Sequence, residues 1–425
     1  MHNNKYNRII ATIFIVMLSI QIGWIETTGI SIYKVSIMCL SPLILLANGV
    51  RINKALIFGL VGWLCCFFCA YSQQYFRFST LGYFGLFIFT FITYYSQLRD
   101  GVFTLDYFKK LLKYIIYSFG IVLIIQQICL LAGIRNVPII NLFNQGWLNI
   151  DKLPILTQEP SSSARIMGAC MLGYLRCIQI EQNGQRISFK ELFSSEHRLV
   201  TILFLWAMVT MGSGTAFVAI GILSLYFITR KNLLVGAPIL ILLVSLGSFM
   251  EITNFKRAQE LALASATLDV NAMHEADGSG ASRIIPLVNT LTKSDLTNPE
   301  TWIGIGTSTG KVNYGIPLDE SRDATAQQYG LISFIVLNIF VYVCMIRRFF
   351  SIESLFYILI LGFTVRNFAY AWAVLFIFAT IRYFQEQQEA GTLEFAEEEL
   401  DEDMEERLIE ERSRLTDGED LQSNT

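Results

Sequence analysis

Twelve stretches of this chain are apolar over lengths that match a lipid bilayer, and that pattern limits what it can fold into. They run over 9–25, 30–49, 54–71, 77–95, 111–134, 160–178, 198–212, 214–229, 233–249, 326–346, 350–366 and 367–384. A helix rises ~1.5 Å per residue, so about 17–25 apolar residues cross a hydrocarbon core of ~30 Å. In a soluble protein apolar positions recur with a period, and about a quarter of residues are charged. Here they come in blocks and charged residues fall to 16%. The chain is therefore expected to be an all-α polytopic membrane protein of about twelve transmembrane helices.

Lysine and arginine gather in the short cytoplasmic connections of such proteins. Counting alternately from the N-terminus, one set of connections holds Lys5 and Arg8, Arg51 and Lys54, and clusters from Arg99 to Lys113 and from Arg176 to Arg198. The same set continues with Arg230, Lys231, Arg347, Arg348 and Arg382, whereas the other holds Arg77, Arg135 and Lys152 in its shorter connections. Both termini are expected in the cytoplasm. "QIGWIETTG" offers no small-residue cleavage site after the first apolar run, which makes that run an uncleaved span.

Four regions follow: a transmembrane bundle over 1–249 with a medium outer loop at 135–159, an extracytoplasmic loop domain over 250–325, the rest of the bundle over 326–385, and an acidic cytoplasmic tail over 386–425. The tail carries 16 acidic and 3 basic residues, which leaves residues 1–385 with a surplus of ten positive charges. A basic body suits anionic lipids or substrates, and an acidic arm reads as solvated chain. Leu400, Met404 and Leu408 also have the spacing of a short amphipathic helix. In the medium loop, "NLFNQGWLNI" suits an interfacial helix anchored by Trp147. All eight cysteines lie in apolar segments or at their edges, so no disulfide framework is implied, and "CCFFC" at 65–69 reads as helix packing rather than a metal site. No internal repeat is evident, which removes one support for a carrier built from related halves.

One span opens oddly. Residues 157–170 read "TQEPSSSARIMGAC", with a carboxylate, a proline, three serines and an arginine at the mouth of the sixth span. Pro160 suits the first helical position, which places Glu159 at the N-cap and lets Ser161 and Ser162 satisfy open amides. Taken alone, this is a good helix start with a snorkelling Arg165. An arginine within a span is costly, however, and generally faces a cavity or a polar partner. A helix N-terminus with hydroxyls and a guanidinium also makes an anion cradle.

Two further segments belong to the same side. "TMGSGTAFVAIG" at 210–221 is a tight turn between spans, in which Ser213 and Thr215 start a helix. The long loop contains "DGSGASRIIPLVNTL" at 277–291, where Arg283 precedes apolar residues at helical spacing, and "GIGTSTGK" at 304–311. The latter fails as a phosphate loop, because Ile305 stands where a glycine is required and Val312 where a hydroxyl is required. Gly304, Gly306 and Gly310 are better suited to turning the backbone tightly. His274, Glu275 and Asp277 form a weak metal pattern that a solvated loop face explains more simply, and "DED" at 401–403 lies in the acidic run. Arg322 and Asp323 immediately precede a span and Arg366 is placed similarly, near the level of Arg165.

The order of these features, "EPS" followed by an arginine, a "GSGT" hairpin, then a long outer loop with "SR" and "GIG", resembles the superfamily of bacterial O-antigen polymerases and O-antigen ligases, which includes capsule and exopolysaccharide polymerases. As architecture the resemblance spans most of the chain; its motifs cover about 157–330. It implies glycosyl transfer between lipid-linked oligosaccharides at the periplasmic face of the bacterial inner membrane. The growing chain would leave undecaprenyl diphosphate, without a metal or other cofactor, and join a sugar hydroxyl on the next repeat unit. On matching positions the resemblance implies that Arg165 and Arg283 bind the diphosphate. Many relatives carry an arginine in the hairpin where this chain has Gly214, so either Arg165, Arg283 and Arg322 supply enough positive charge, with the hydroxyls of Ser161, Ser162, Ser213 and Thr215 as further ligands, or the hairpin is only structural. Arginines in a poorly hydrated site stabilise a leaving diphosphate, and a positioned carboxylate takes the proton of the attacking hydroxyl. Glu159 is the first candidate for that base and Asp323 the second. Direct displacement would invert the anomeric carbon.

A ligase that delivers the glycan to lipid A–core shares this pattern, and a flippase for the lipid-linked oligosaccharide would also carry charges inside the membrane. A sensor or scaffold acting through the acidic tail is a further class. Expected partners are the polyprenyl-diphosphate-linked oligosaccharide, membrane lipid and a chain-length regulator, with no nucleic acid.

Overall fold

The computed structural model describes residues 2–21, 32–71, 78–134, 153–157, 159–228, 260, 264, 278–306, 324–365 and 367–392. The segment 135–152, the run 233–249, "HEAD" at 274–277, Gly310, Arg322, Asp323, Arg366 and the tail from 393 lie outside the described residues.

Among the described residues the chain is all-helical. The first eight helices are α1 (His2–Ser19), α2 (Ile32–Ala47), α3 (Lys54–Tyr71), α4 (Phe78–Arg99), α5 (Leu105–Leu131), α6 (Pro160–Glu181), α7 (Arg198–Thr210) and α8 (Gly214–Ser224). They are followed by α9 (Gly278–Thr292), α10 (Pro299–Ile303), α11 (Ala324–Cys344), α12 (Ile352–Leu361) and α13 (Ala369–Ala390). Three helices, α4, α5 and the Thr325–Cys344 part of α11, are long and apolar enough to cross a membrane. α2, α7, α8, α12 and most of α3 are apolar but shorter.

α6 and α13 are long but more polar, and both are buried almost all round. They form the centre of the bundle, with α5, α7, α8, α12 and α13 packed around α6. Lipid tails are as apolar as side chains, so helices in such a bundle associate through close packing and interhelical hydrogen bonds. The glycines of α6 allow that approach: a Cβ on Gly173 would lie 2.7 Å from Leu112 Cδ1, and one on Gly168 3.0 Å from Phe356. Where α13 meets α4, Trp372 stacks on Phe87 at 5.7 Å, and Phe91 meets Phe376 edge-on. Hydrogen bonds join further helices, including Tyr357 Oη to Asn338 Oδ1 at 2.8 Å.

Ion pairs mark one end of the bundle. They join Arg51 to Asp100, Lys109 to Glu181, Arg176 to Glu353, Arg99 and Arg382 to Glu386, and Arg347 to Glu389. Most of these pairs connect the C-terminal ends of α4, α6 and α13 to the N-terminal ends of α3, α5 and α12, so helices that follow one another in the chain alternate in direction, while α4, α6 and α13 run the same way. The opposite end carries the starts of α6, α8 and α13 and the ends of α5 and α7.

α11 is interrupted near its start, where Gly330 leaves helical geometry at φ 79° and ψ 167°. The chain around Gly304 (φ 81°) passes directly against this break, with Ile305 N–H donating to Gln327 O at 2.7 Å and Gly306 N–H to Gln328 O at 3.2 Å. A Cβ on Gly330 would lie 2.0 Å from Trp302 O, so two backbones meet where only glycine fits. Gly304 and Gly306 do turn the chain tightly, as their sequence context predicts.

Candidate functional site

The end of the bundle opposite the ion pairs is organised by residues 153–157, a buried irregular segment just before α6. Backbone outside a helix leaves N–H and C=O groups that must find partners inside the protein. Here they do. Leu153 N–H donates to Met211 O at 3.2 Å, and Gln21 N–H to Leu156 O at 2.8 Å. The side-chain amide of Gln126 on α5 clamps Ile155 from both sides, accepting from its N–H at 3.1 Å and donating to its carbonyl at 3.0 Å. Ile155 itself sits at φ 61°, a left-handed conformation that costs a β-branched residue about 1–3 kcal/mol and needs such a clamp.

The start of α6 is tied to this segment. Glu159 occupies the N-cap at φ −136° and ψ 144°, and Pro160 the first helical position, as expected. The serines act differently from the expectation. The amides of Ser162 and Ser163 bond to the Glu159 carbonyl at 3.0 and 3.3 Å, which leaves them no need of a hydroxyl cap. Ser161 Oγ instead donates to Glu159 Oε2 at 3.1 Å. Ser163 and Thr157 lie 2.9 Å apart and between them reach the Pro154 and Glu159 carbonyls. With these amides engaged, the positive group of the site is the guanidinium rather than the helix N-terminus.

That guanidinium is unusual. Arg165 is 7% exposed, and its Nε has no hydrogen-bond partner. Among the described residues no carboxylate pairs with it. The guanidinium lies, among the described residues, over the ring of Tyr370 on α13, with Cζ 4.4 Å from the ring centroid. Tyr370 also stacks on Phe368 at 5.4 Å. Ser161 and Arg165 are four residues apart on one helical face, so the Glu159–Ser161 bond lies one turn before Arg165.

Arg176 makes the comparison. It lies further along the same helix and is also buried, but Nε and Nη2 donate to Glu353 at 2.6 and 3.1 Å, and Nη1 donates to Gln179 at 2.7 Å. The sequence places it at the very end of the sixth span, among the cations of the following connection; α6 extends to Glu181 and takes Arg176 inside the bundle.

Ser213 is the N-cap of α8, makes no side-chain cap bond, and is buried with Thr215. Gly212, at φ 75°, turns the chain between α7 and α8. The bond from Leu153 to Met211 holds this turn beside the start of α6. Arg283 is a helical residue of α9, and its side chain lies outside the described part. α9 buries Ile285, Asn289 and Thr290 and packs on α12. Of the positions flanking Arg322, Asp323 and Arg366, Thr325 and Val365 are adjacent, with Thr325 Oγ1 donating to Val365 O at 3.4 Å.

The structure therefore gathers Glu159, Ser161, Arg165, Ser213 and Thr215 at one end of the bundle, with α9 at the α11–α12 side. Tyr370, Gln126, Thr157 and Ser163 are missing from the sequence-derived set. Ser163 had a signal, as the third serine of "SSS". Tyr370 had none, because nothing local in "FAYAWAV" points to an arginine on another helix. Among the described residues no three His, Cys, Asp or Glu side chains gather as a metal site would require. Comparison with known protein families, characterised proteins and solved structures gives no match for this chain.

Proposed function

We propose that this chain is a polytopic membrane glycosyltransferase that joins polyprenyl-diphosphate-linked oligosaccharide repeat units, with its site at the Arg165 end of the bundle. The observation that carries the proposal is the contrast along α6. Arg176 is buried and neutralised; Arg165 is buried to a similar degree with an unpartnered Nε and no carboxylate among the described residues. A buried charge without a counter-charge costs several kcal/mol, roughly 3–5 in proteins where one partner of a pair is removed. An anionic ligand supplies the missing counter-charge, and a diphosphate suits the guanidinium.

In this mechanism a sugar hydroxyl of one repeat unit attacks the anomeric carbon of another. The new glycosidic C–O bond forms as the bond to the diphosphate breaks, and the diphosphate leaves with the electron pair. Arg165 holds the leaving group, with Arg283 as the second cation. Glu159 takes the hydroxyl proton, positioned through Ser161. Tyr370 fixes the guanidinium plane, which frees its polar edge for phosphate oxygens.

The accompanying topology has twelve crossings, both termini in the cytoplasm and the Arg165 end facing the periplasm of the bacterial inner membrane. The alternating direction of the described helices and the basic residues gathered at the other end support it.

Chain extension from purified lipid-linked repeat, read as a ladder on a gel, tests the proposal. Arg165→Ala is expected to reduce extension at least ~100-fold, the scale of losing one preorganised charge-stabilising group. A normal ladder from inserted Arg165→Ala and Arg283→Ala proteins would sink the proposal. Transfer to lipid A–core without a ladder would assign a ligase, and movement of the lipid-linked repeat across the bilayer without lengthening a carrier.

A further inference from the structure

A second charged site lies at the opposite end, where a cavity of about 720 Å³ opens between α6, α12, α13 and the turn after α11. Arg176, Arg186, Arg347, Arg348 and Arg382 line it, against the two carboxylates Glu353 and Glu389. Three of the arginines are spoken for. Arg176 is paired with Glu353, Arg382 donates to Glu386 and to the carbonyls of Tyr342 and Ile346, and Arg186 donates to the carbonyls of Tyr226 and Ile228.

Among the described residues, Arg347 and Arg348 share the carboxylate of Glu389. Burial and the nearby Arg348 and Arg382 hold the Arg347 guanidinium below its usual value, against the pull of Glu386. Among the described residues the floor is therefore short of negative charge. The rim is apolar: Phe349 is 53% and Phe350 96% exposed, next to Leu355 and Ile358. A polar cationic floor under exposed aromatic rings suits an amphipathic anion better than a soluble one.

The geometry points to this cavity as a binding site for a phosphate-bearing head group, with Arg347 and Arg348 on the phosphate and Phe349 and Phe350 against the adjoining chain. The site lies at the other end of the bundle from Arg165, and it stands whether or not the chain is a glycosyltransferase. A membrane phospholipid and free phosphate share this chemistry.

Titration of the full-length protein in non-ionic detergent with short-chain phosphatidic acid, with phosphatidylcholine of the same chain length and with inorganic phosphate distinguishes them. Phosphatidic acid is expected to bind at least tenfold more tightly than phosphatidylcholine. Arg347→Gln/Arg348→Gln is expected to lose at least tenfold of that affinity, and Arg51→Gln, at the same end but outside the cavity, to keep it. Should the double variant fail to fold, Arg348→Glu alone, at a side chain 72% exposed, is expected to show the same loss. Competition by inorganic phosphate at equal concentration would identify free phosphate as the source, and its failure to compete would identify lipid. Equal binding of the two lipids, equal loss in Arg51→Gln, or binding that emerges only when the acidic tail is truncated after Thr392 would overturn the inference.

Discussion

Arg165 and Arg176 show how one residue type serves two purposes on one helix. For Arg176 the pair with Glu353 is nearly inaccessible to water, with side chains 10% and 8% exposed, so removing one partner strands a charge. Glu353→Ala is expected to cost about 3–5 kcal/mol, and Arg176→Met/Glu353→Leu far less. Thermal unfolding in detergent of the two singles and the double checks this. Arg165→Met, by contrast, is expected to leave stability unchanged or raised, because it removes a charge that lacks a protein partner; a lowered melting temperature would argue against an open anion site. His197 offers a pH test. It is 8% exposed, with Nδ1 2.8 Å from Tyr174 Oη, and Glu196, Lys109, Glu181 and Lys113 around it. Burial pushes its pKa below the ordinary 6.5, Lys109 adds to this, and Glu196 opposes it. The folded state thus prefers neutral imidazole while the unfolded chain takes up a proton, so its contribution is full above pH 6.5 and is lost as pH falls below it. Melting temperature from about pH 8 to pH 5 should fall less steeply in His197→Gln than in the natural chain. At this scale the sequence exposed Arg165, since an arginine inside an apolar run is visible by eye. It concealed Tyr370 and Glu353, whose roles exist only after distant helices pack.

Helix positions were more legible than side-chain roles. Apolar runs set the helices, and Pro160 and Gly214 mark the first residues of α6 and α8. α6 nevertheless extends to Glu181 and α13 to Ala390, beyond their apolar cores, because their polar last turns pair with neighbouring elements instead of meeting lipid. The break in α11 was hidden, since a lone glycine in an apolar run carries no mark of φ 79°. Its partner at Gly304 makes a direct test possible. A Cβ at Gly304 would lie 2.5 Å from Gln328 O and one at Gly330 2.0 Å from Trp302 O, contacts with backbone that cannot swing aside. Gly304→Ala and Gly330→Ala are each expected to cut the yield of folded protein sharply. Gly221→Ala, in α8 with open space around its Cβ position, is expected to stay within about 0.5 kcal/mol of the natural chain. Size-exclusion profiles of the three variants decide the matter.

Across the whole molecule, charge and direction agree: described helices alternate, and their ion pairs collect at one end. The first residues of the acidic stretch belong to the body, since the last turns of α13 carry Glu386 and Glu389, which pair with Arg99, Arg382 and Arg347. α13 closes on Gly391 in the left-handed region, with Gly391 N–H and Thr392 N–H donating to Gln388 O and Gln387 O at 3.2 and 3.1 Å. Truncation after Thr392 is therefore expected to leave folding and chain extension intact, with melting temperature and the extension ladder as the readouts. Legibility at this scale came from the positive charges, which recur at every second connection of the sequence and gather at one end of the described bundle. The buried segment 153–157 escaped notice because it is short and reads as an ordinary loop end. That segment bears on biosynthesis. Its polar groups are satisfied by Gln126 behind it in the chain and by Met211 ahead of it. When α6 leaves the ribosome, the acceptor for Leu153 has not yet been made, so this bond at the Arg165 end of the bundle has to wait for α7. The order in which the helices emerge thus sets when this bond can form, and the start of α6 is tied to the turn between α7 and α8 only after the seventh helix arrives.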